Sequence, residues 1–215
     1  MLKQFSGIGY GANTYVVYND NKNKQGKREA FIVDPGNPVR EILSYVVNNE
    51  LDVKYIILSH GHYDHVSFIE EYKRAFPDAV TVCHGEESKV LTDPEANVSY
   101  LFGDTNAYED CAVKVKEGDN IILSGIDDNG AEADMKFTVM HTPGHTPGCI
   151  CLYNEEERLM LTGDTLFAGG YGRTDFKYGS GAELMKSLRR LLSMEDEIVF
   201  YSGHGEMSRI GWEKV

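Results

Sequence analysis

The 215-residue sequence has a deficit of basic charge, few cysteines and no long apolar run. Lys and Arg number 21 against 34 Asp and Glu, which gives a formal net charge of −13. A surface of this charge repels the phosphates of nucleic acids. No apolar run approaches the ~20 residues that cross a bilayer, and the N-terminus lacks the apolar core of a signal peptide. We therefore expect a protein that binds neither nucleic acid nor membrane.

The four cysteines are not arranged as a disulfide framework. Cys149 and Cys151 stand two residues apart in an apolar run. This spacing predicts that both lie on one face of a strand, as small buried apolar side chains rather than metal ligands or redox groups. Reduced thiols, together with the missing signal segment, favour the cytoplasm.

Linkers and low-complexity segments are also missing, so we predict one domain over residues 1–215. Short apolar runs typical of strands are mixed with helical patterns, which indicates an α+β chain with strands enough for two sheets. We predict strands over 14–18, 30–34, 55–58, 80–83, 113–115, 120–123, 136–140 and 198–201, and helices over 39–48, 66–75, 86–91 and 182–192. Residues 92–110 are polar and irregular, and we expect them to form an inserted surface loop.

Two of the predicted helices, 39–48 and 182–192, have apolar stripes at helical spacing, which predicts the faces that pack on a sheet. In the first helix the stripe contains Ile42, Leu43, Val46 and Val47. In the last it contains Leu184, Leu188, Leu191 and Leu192.

Three of the seven histidines fall within six residues, His60-Gly61-His62-Tyr63-Asp64-His65, directly after the apolar run 55–58. Alternate residues can point to the same side, so His60 and His62 can bind one metal ion while Asp64 and His65 serve a second one. Imidazole nitrogens and carboxylates are ligands that zinc, iron and manganese accept. A solvated polar loop is the alternative, but four ligand-type residues in six at a strand end favour a metal site.

Three further residues of ligand type follow predicted strands and are flanked by glycine: His145, Asp164 and His204. One such residue alone is more often a turn cap, but the repetition indicates a shared site. Two histidines remain. We interpret His84 as a cap or surface residue, and His141 as a structural residue or one that holds a metal ligand in place.

These motifs, in this order over residues 60–205, resemble those of the metallo-β-lactamase superfamily. Within it, the chain is most similar to glyoxalase II-like hydrolases (hydroxyacylglutathione hydrolases) in their short form. The resemblance implies a four-layer αβ/βα sandwich with metal ions at the sheet edges. It assigns His60, His62 and His145 to the first ion. It assigns Asp64, His65 and His204 to the second ion, and Asp164 to both ions as a bridging ligand.

The resemblance also implies two divalent metal ions, with zinc favoured and iron or manganese as alternatives. A hydroxide bound to these ions would cleave a small-molecule thioester such as a hydroxyacylglutathione, with Asp64 as the catalytic residue that orients it. Asp164 stands where β-lactamases of this fold usually have a cysteine, which argues against β-lactam hydrolysis as the main activity. The oligomeric state is left open.

The segment 170–176 matches the same family. Its Arg173 takes the position of a basic residue that contacts the glutathione part of the substrate, and an ion pair with Asp175 is the alternative. Persulfide dioxygenases of the superfamily share several of the motifs. They bind a single iron through residues matching His60, His145 and Asp164, and this is the alternative activity. Thr165 and the ending around His204 favour the hydrolase.

Overall fold

The strands of the first sheet follow one another in chain order. The computed structural model describes residues 1–9 and 11–214. This sheet contains β1 (Leu2–Phe5), β2 (Thr14–Tyr18), β3 (Arg28–Val33), β4 (Leu51–Ile57), β5 (Val80–His84) and β6 (Val113–Val115). The first three strands pair antiparallel, and β3 to β6 pair in parallel. The ends of the parallel strands therefore meet at one edge of the sheet.

The second sheet contains β7 (Asn120–Leu123), β8 (Met135–His141), β9 (Ile150–Asn154), β10 (Leu159–Gly163), β13 (Val199–Ser202) and β14 (Ser208–Arg209). Between β10 and β13, the short strands β11 (Leu166–Phe167) and β12 (Gly170–Tyr171) form a separate hairpin. The strand order is β14-β13-β10-β9-β8-β7, and only the β10–β13 pair in it is parallel among the described strands.

Six α-helices complete the described chain: α1 (Val39–Asn48), α2 (Tyr63–Val66), α3 (Ile69–Ala75), α4 (Ser88–Leu91), α5 (Gly181–Leu192) and α6 (Ile210–Glu213). Short 3₁₀ turns occupy Gly85–Glu87 and Ser99–Phe102. Within residues 1–9 and 11–214, none of these helices has the length and apolarity needed to cross a bilayer.

The sheets pack face to face around one apolar layer, to which strands of both contribute. Phe31 of β3 meets Phe137 of β8 edge to face, with ring centroids 5.1 Å apart. On the outer faces, α1 and α3 cover the first sheet, and α5 and α6 cover the second. The result is an αβ/βα sandwich of four layers, which confirms the predicted fold class. The assignment of residues 1–215 to one domain stays a prediction.

The predicted helix over 66–75 is wrong in its bounds. The chain forms two helices there, α2 and α3, separated by Ser67 and Phe68. The amide of Phe68 donates to the carbonyl of Pro35 at 3.1 Å, which takes it out of a continuous helical ladder. The first helix starts at Tyr63, within the histidine cluster, and so places Asp64 and His65 on a helical turn.

The predicted apolar stripe of α1 is half wrong. Ile42 and Val46 are buried against the first sheet, but Leu43 and Val47 are exposed, Val47 by 65%. Consecutive helical residues point about 100° apart, so one flat sheet buries only one residue of each such pair. In α5 the stripe is confirmed, because Leu184, Leu188 and Leu191 are buried and Leu192 is partly buried against the same cluster.

The loop over 92–110 is less superficial than predicted. Asn97 is fully buried, and its side-chain amide donates to the carbonyls of Leu91 and Asn106. The cysteines Cys149 and Cys151 are buried and free, as predicted. However, Cys149 lies just before β9, and its thiol contacts Thr146 at 3.0 Å instead of sharing a strand face with Cys151.

Candidate metal centre

All seven side chains predicted to bind metal are brought together at one edge of the sandwich. His60 and His62 follow β4, and Asp64 and His65 lie on α2. The second sheet supplies the other three from three separate strand ends: His145 between β8 and β9, Asp164 directly after β10 and His204 after β13. Each sheet thus contributes part of the centre, which forms only when the two sheets pack.

The ligand atoms form overlapping groups that could each hold a metal ion. One group is His60, His62 and His145; a second is Asp64, His65 and His204; a third is His60, His65 and Asp164. The ligand atoms within each group lie within 4.8 Å of one another. The first two groups match the two ion sites that the family resemblance implies.

Asp164 lies between the first two groups. Its Oδ2 is 3.6 Å from the Nε2 of His145 and 3.6 Å from the Nε2 of His204. Its Oδ1 is 3.3 Å from the Nε2 of His65. One carboxylate therefore reaches both groups, as a bridging ligand must.

Hydrogen bonds on the far side of two imidazoles fix which nitrogen faces the centre. The Nδ1 of His145 donates to the carbonyl of Arg173 at 2.7 Å, and since a carbonyl only accepts, its Nε2 carries a lone pair. The Nδ1 of His65 donates to the carboxylate of Asp34 at 2.8 Å. Such partners orient metal-binding histidines.

Several buried polar atoms at the centre make no hydrogen bond with any residue that the structure describes. They are the Nε2 of His62, the Nε2 of His65 and the Oδ1 of Asp164. In addition, the Nε2 atoms of His60 and His145 face each other at 3.2 Å. Buried polar atoms without partners are costly, and cations bound at the ligand groups would satisfy these atoms as acceptors. The residues therefore fit a metal centre.

The electrostatics favour the metal-binding protonation states of His60, His62 and Asp164. Burial, reinforced by neighbouring imidazoles, holds the pKa of His60 and His62 well below the ordinary value. Burial alone would raise the pKa of Asp164, but the adjacent His65 keeps it below its usual range. Burial opposes a charge on His65 as well, yet the carboxylates of Asp164 and Asp64 raise its pKa well above normal. The carboxylates thus favour positive charge at this position.

Gly203 allows the backbone to approach the ligands closely. A Cβ there would lie 2.2 Å from the Oδ1 of Asp164 and 2.5 Å from the ring of His65. The Gly203 carbonyl accepts from the amide of Asn13 at 2.7 Å, and the Asp64 carbonyl accepts from the amide of Ala12 at 3.1 Å. The segment before β2 therefore ties together two loops that carry ligands.

Two buried acids that support the centre were not predicted. Asp34, at the end of β3, accepts from His65 and from the amide and hydroxyl of Ser59. Its position after an apolar strand was the available signal. Glu87 is fully buried and accepts from the amides of Gly61 and Gly148 and the hydroxyl of Thr146, at 2.7, 2.8 and 2.9 Å. Nothing in the sequence distinguishes it from its exposed neighbour Glu86.

Arg173 borders the first ligand group through its backbone, while its side chain is exposed. The guanidinium pairs with Asp175 and lies 4.3 Å from the ring centroid of Phe176. The ring of Phe176 in turn contacts that of His62, with centroids 5.5 Å apart. The structure thus shows the ion pair, and the contact with substrate stays a prediction.

The two remaining histidines lie outside the ligand groups. The Nδ1 of His84 accepts from the amide of Glu86 at 3.2 Å, which confirms its role as a cap. His141 stacks on it, with ring centroids 3.9 Å apart, and its Nε2 donates to the carbonyl of Pro147 at 2.9 Å. This hydrogen bond connects His141 to the loop that carries His145, which agrees with the supporting role considered for His141.

Comparison with known proteins gives a consistent picture. The family model of the metallo-β-lactamase superfamily matches residues 7–204. Hydroxyacylglutathione hydrolase GloC of Haemophilus influenzae is 33% identical over 205 residues, covering 94% of this chain and 89% of that protein.

Two solved structures share the fold over nearly their whole length. The B3 metallo-β-lactamase BLEG-1 has a TM-score of 0.84 and 29% identity, covering 99% of this chain and 96% of that one. The di-iron-bound form of TTHA1623 has a TM-score of 0.77 and 26% identity, covering 96% and 94%. From the family match and the ligand geometry, the chain belongs to the metallo-β-lactamase superfamily.

Proposed function

We propose that this protein is a dinuclear metallohydrolase that cleaves thioesters, with glutathione thioesters as the substrate class. The observation that carries the proposal is the pair of ligand groups joined by Asp164. The similarity to a hydroxyacylglutathione hydrolase at 33% identity supports the substrate class. We also propose zinc as the resident metal, with iron as the competitor because a similar structure is di-iron-bound, and the cytoplasm as the location because the four thiols are free.

Each residue of the centre has a defined part in this proposal. His60, His62 and His145 would hold one ion, Asp64, His65 and His204 the other, and Asp164 both. When bound, the ions would supply Lewis acidity and lower the pKa of water from 15.7 to about 7. Asp64 stays ionised because His65 and His204 keep its pKa low against the opposing effect of burial. Its carboxylate would orient the attacking water, and the thiolate product leaves without a strong acid.

Arg173 is proposed to bind a carboxylate of the glutathione part. Its pair with Asp175 joins side chains that are 59% and 64% exposed, and exposed pairs of this kind contribute little, so a substrate carboxylate can replace Asp175. Arg173→Ala should raise KM for lactoylglutathione by about tenfold with a smaller change in kcat. The matched control is Arg158→Ala, which removes a similarly exposed pair with Glu195. Equal effects of the two variants would contradict the assignment.

The activity is tested by measuring metal content together with three reactions: thioester hydrolysis, cephalosporin hydrolysis and persulfide-dependent oxygen uptake. We expect two metal ions per chain and cleavage of the thioester. The cephalosporin assay is included because a similar structure is a B3 metallo-β-lactamase. One iron per chain with oxygen uptake and no thioester cleavage would refute the hydrolase.

A persulfide dioxygenase is the second candidate. The three residues that would hold its single iron also converge, since the Nε2 of His145 lies 3.2 Å from the Nε2 of His60 and 3.6 Å from the Oδ2 of Asp164. His204→Ala separates the two functions. In a dinuclear hydrolase this substitution should remove one ion per chain. Its activity should fall by more than the roughly 10–100-fold that follows the loss of a residue that only supports a metal ligand. A mono-iron dioxygenase should keep its iron.

A further inference from the structure

An apolar cavity of about 250 Å³ lies beside Asp64. Its walls include Ile8 from the segment before β2, Tyr63 of α2, Ser67 and Phe68 between α2 and α3, and Phe102. Asp64 therefore belongs both to the second ligand group and to the wall of this cavity. A group held in the cavity would lie next to the centre.

The walls present hydrocarbon and aromatic surface. The ring of Tyr63 stacks on that of Phe102 at 4.9 Å, and its hydroxyl is used in a bond to Asp104 at 3.2 Å. The amides of Ile8 and Phe68 donate to Asn37 and Pro35. Ile8 is 69% exposed although its side chain is apolar. Phe102, which is 40% exposed, lines the same cavity, and an exposed apolar patch of several side chains is typical of a ligand-binding groove.

The size of the cavity selects the kind of group. An apolar cavity of ~150 Å³ holds a benzene molecule. A volume of about 250 Å³ therefore accommodates an aryl group with a short linker or a medium alkyl chain. A lactoyl group has only one methyl carbon to place there and would leave most of the cavity unfilled.

We infer that this cavity is an acyl subsite and that the preferred substrates are thioesters with a bulky apolar acyl group, either aromatic or medium-chain. The inference rests on the proposed function and specifies its substrate. Arg173 adjoins the first ligand group through His145, and the cavity adjoins the second through Asp64. A glutathione thioester that lies across the centre can place the carboxylates of its glutathione part toward Arg173 and its acyl group in the cavity.

Turnover of a series of glutathione thioesters that differ only in the acyl group tests the inference. The metal-loaded protein should show kcat/KM at least tenfold higher for phenylacetyl- and hexanoylglutathione than for lactoylglutathione, since each buried methylene contributes roughly fourfold. Ser67→Leu, which fills the cavity, should lower the ratio of phenylacetyl to acetyl turnover at least tenfold. Ile8→Ala, at an exposed position, should lower it about fivefold without endangering the fold. Val47→Ala, exposed on α1 away from the centre, is the control and should leave the ratio unchanged.

A binding measurement separates the inference from the activity. S-Hexylglutathione and S-methylglutathione are thioethers that cannot be hydrolysed, and calorimetry should find the hexyl compound at least tenfold tighter on the wild type, with the preference lost in Ser67→Leu. Equal affinities and a flat acyl series would overturn the subsite while leaving thioester hydrolysis intact. A hexyl preference without cleavage of any thioester would support the subsite and refute the proposed reaction.

Discussion

Glu87 joins two loops that carry ligands, because it accepts from Gly61 on one loop and from Gly148 on the other. Burial raises its pKa to about 7, against the opposing effect of these hydrogen bonds. A raised folded-state pKa adds stability that is fully present below the unfolded value of about 4.5 and is lost as the pH rises through 7. The shift corresponds to about 3 kcal/mol.

Glu87→Gln should therefore flatten the pH dependence of stability in the metal-free protein. Between pH 5 and pH 8 the free energy of unfolding of the wild type should fall by up to about 3 kcal/mol more than that of the variant. Urea denaturation at several pH values measures it. Glu86→Gln changes the exposed neighbour and is the matched control. Parallel pH curves for wild type and Glu87→Gln would show that the carboxyl is not buried as a neutral group.

At this scale the sequence predicts residues whose chemistry stands out locally. The cluster from His60 to His65 is conspicuous because four ligand-type residues crowd into six positions. Glu87 is not, since its burial depends on contacts with residues 26, 59 and 61 positions away. Supporting residues of this kind become visible only when the long-range packing is known.

Helix α5 holds the loop that carries His145. The amide of Ser180, its N-cap, donates to the carbonyl of Gly144 at 2.8 Å, and the hydroxyl of Ser187 donates to that of Pro143 at 2.8 Å. Gly144 has φ +142°, and a Cβ there would lie 2.3 Å from the backbone nitrogen of Leu184. The loop and the helix are therefore in direct backbone contact at a position that favours glycine.

Gly144→Ala should displace the loop from α5 and weaken metal binding as well as folding. We expect a loss of about 1–3 kcal/mol from overpacking, in addition to the strain of a side chain at this φ, and a lower zinc affinity in chelator competition. Gly130→Ala is the matched control, because Gly130 also has a positive φ but open space around its Cβ position. It should destabilise by about 1 kcal/mol and leave the zinc affinity unchanged. If both substitutions lowered the zinc affinity equally, the contact between Gly144 and α5 would not be what holds the loop.

Elements were predictable where one signal dominates. Strand ends marked by glycine and a ligand-type residue, such as those before Asp164 and His204, lie where the pattern indicates. Helix bounds were less predictable, because the break between α2 and α3 is made by a hydrogen bond to Pro35, more than thirty residues away. The exposure of Val47 likewise depends on the sheet that α1 meets.

The centre joins the two halves of the sandwich. The first sheet and its helix supply four of the predicted ligands and the second sheet supplies three. A bound ion would thus add a further link between sheets that already pack through their apolar layer. The pattern of strands and helices indicated two sheets and the family resemblance implied their four-layer arrangement, whereas this convergence of four loops depends on how the sheets pack.

Removal of metal should lower the melting temperature of the whole molecule. With free metal at a thousand times its dissociation constant, binding contributes about 4 kcal/mol, which corresponds to roughly 8–16 °C for a chain of this size. Scanning calorimetry with and without a chelator measures the shift. After metal removal, hydrogen exchange should become faster at the ligand loops first, and only later in the apolar layer around Phe31 and Phe137. An unchanged melting temperature would exclude this linking role.

Part of the wall of the cavity beside Asp64 comes from segments that carry no predicted ligand. The segment before β2 and the loop around Phe102 contribute Ile8 and Phe102 to those walls, and neither contributes a predicted metal ligand. Mutation in these two segments can change which molecules are accepted while the reactive chemistry is kept. Related chains can therefore evolve different substrate specificities while they keep the catalytic centre. One scaffold can in this way support many specificities.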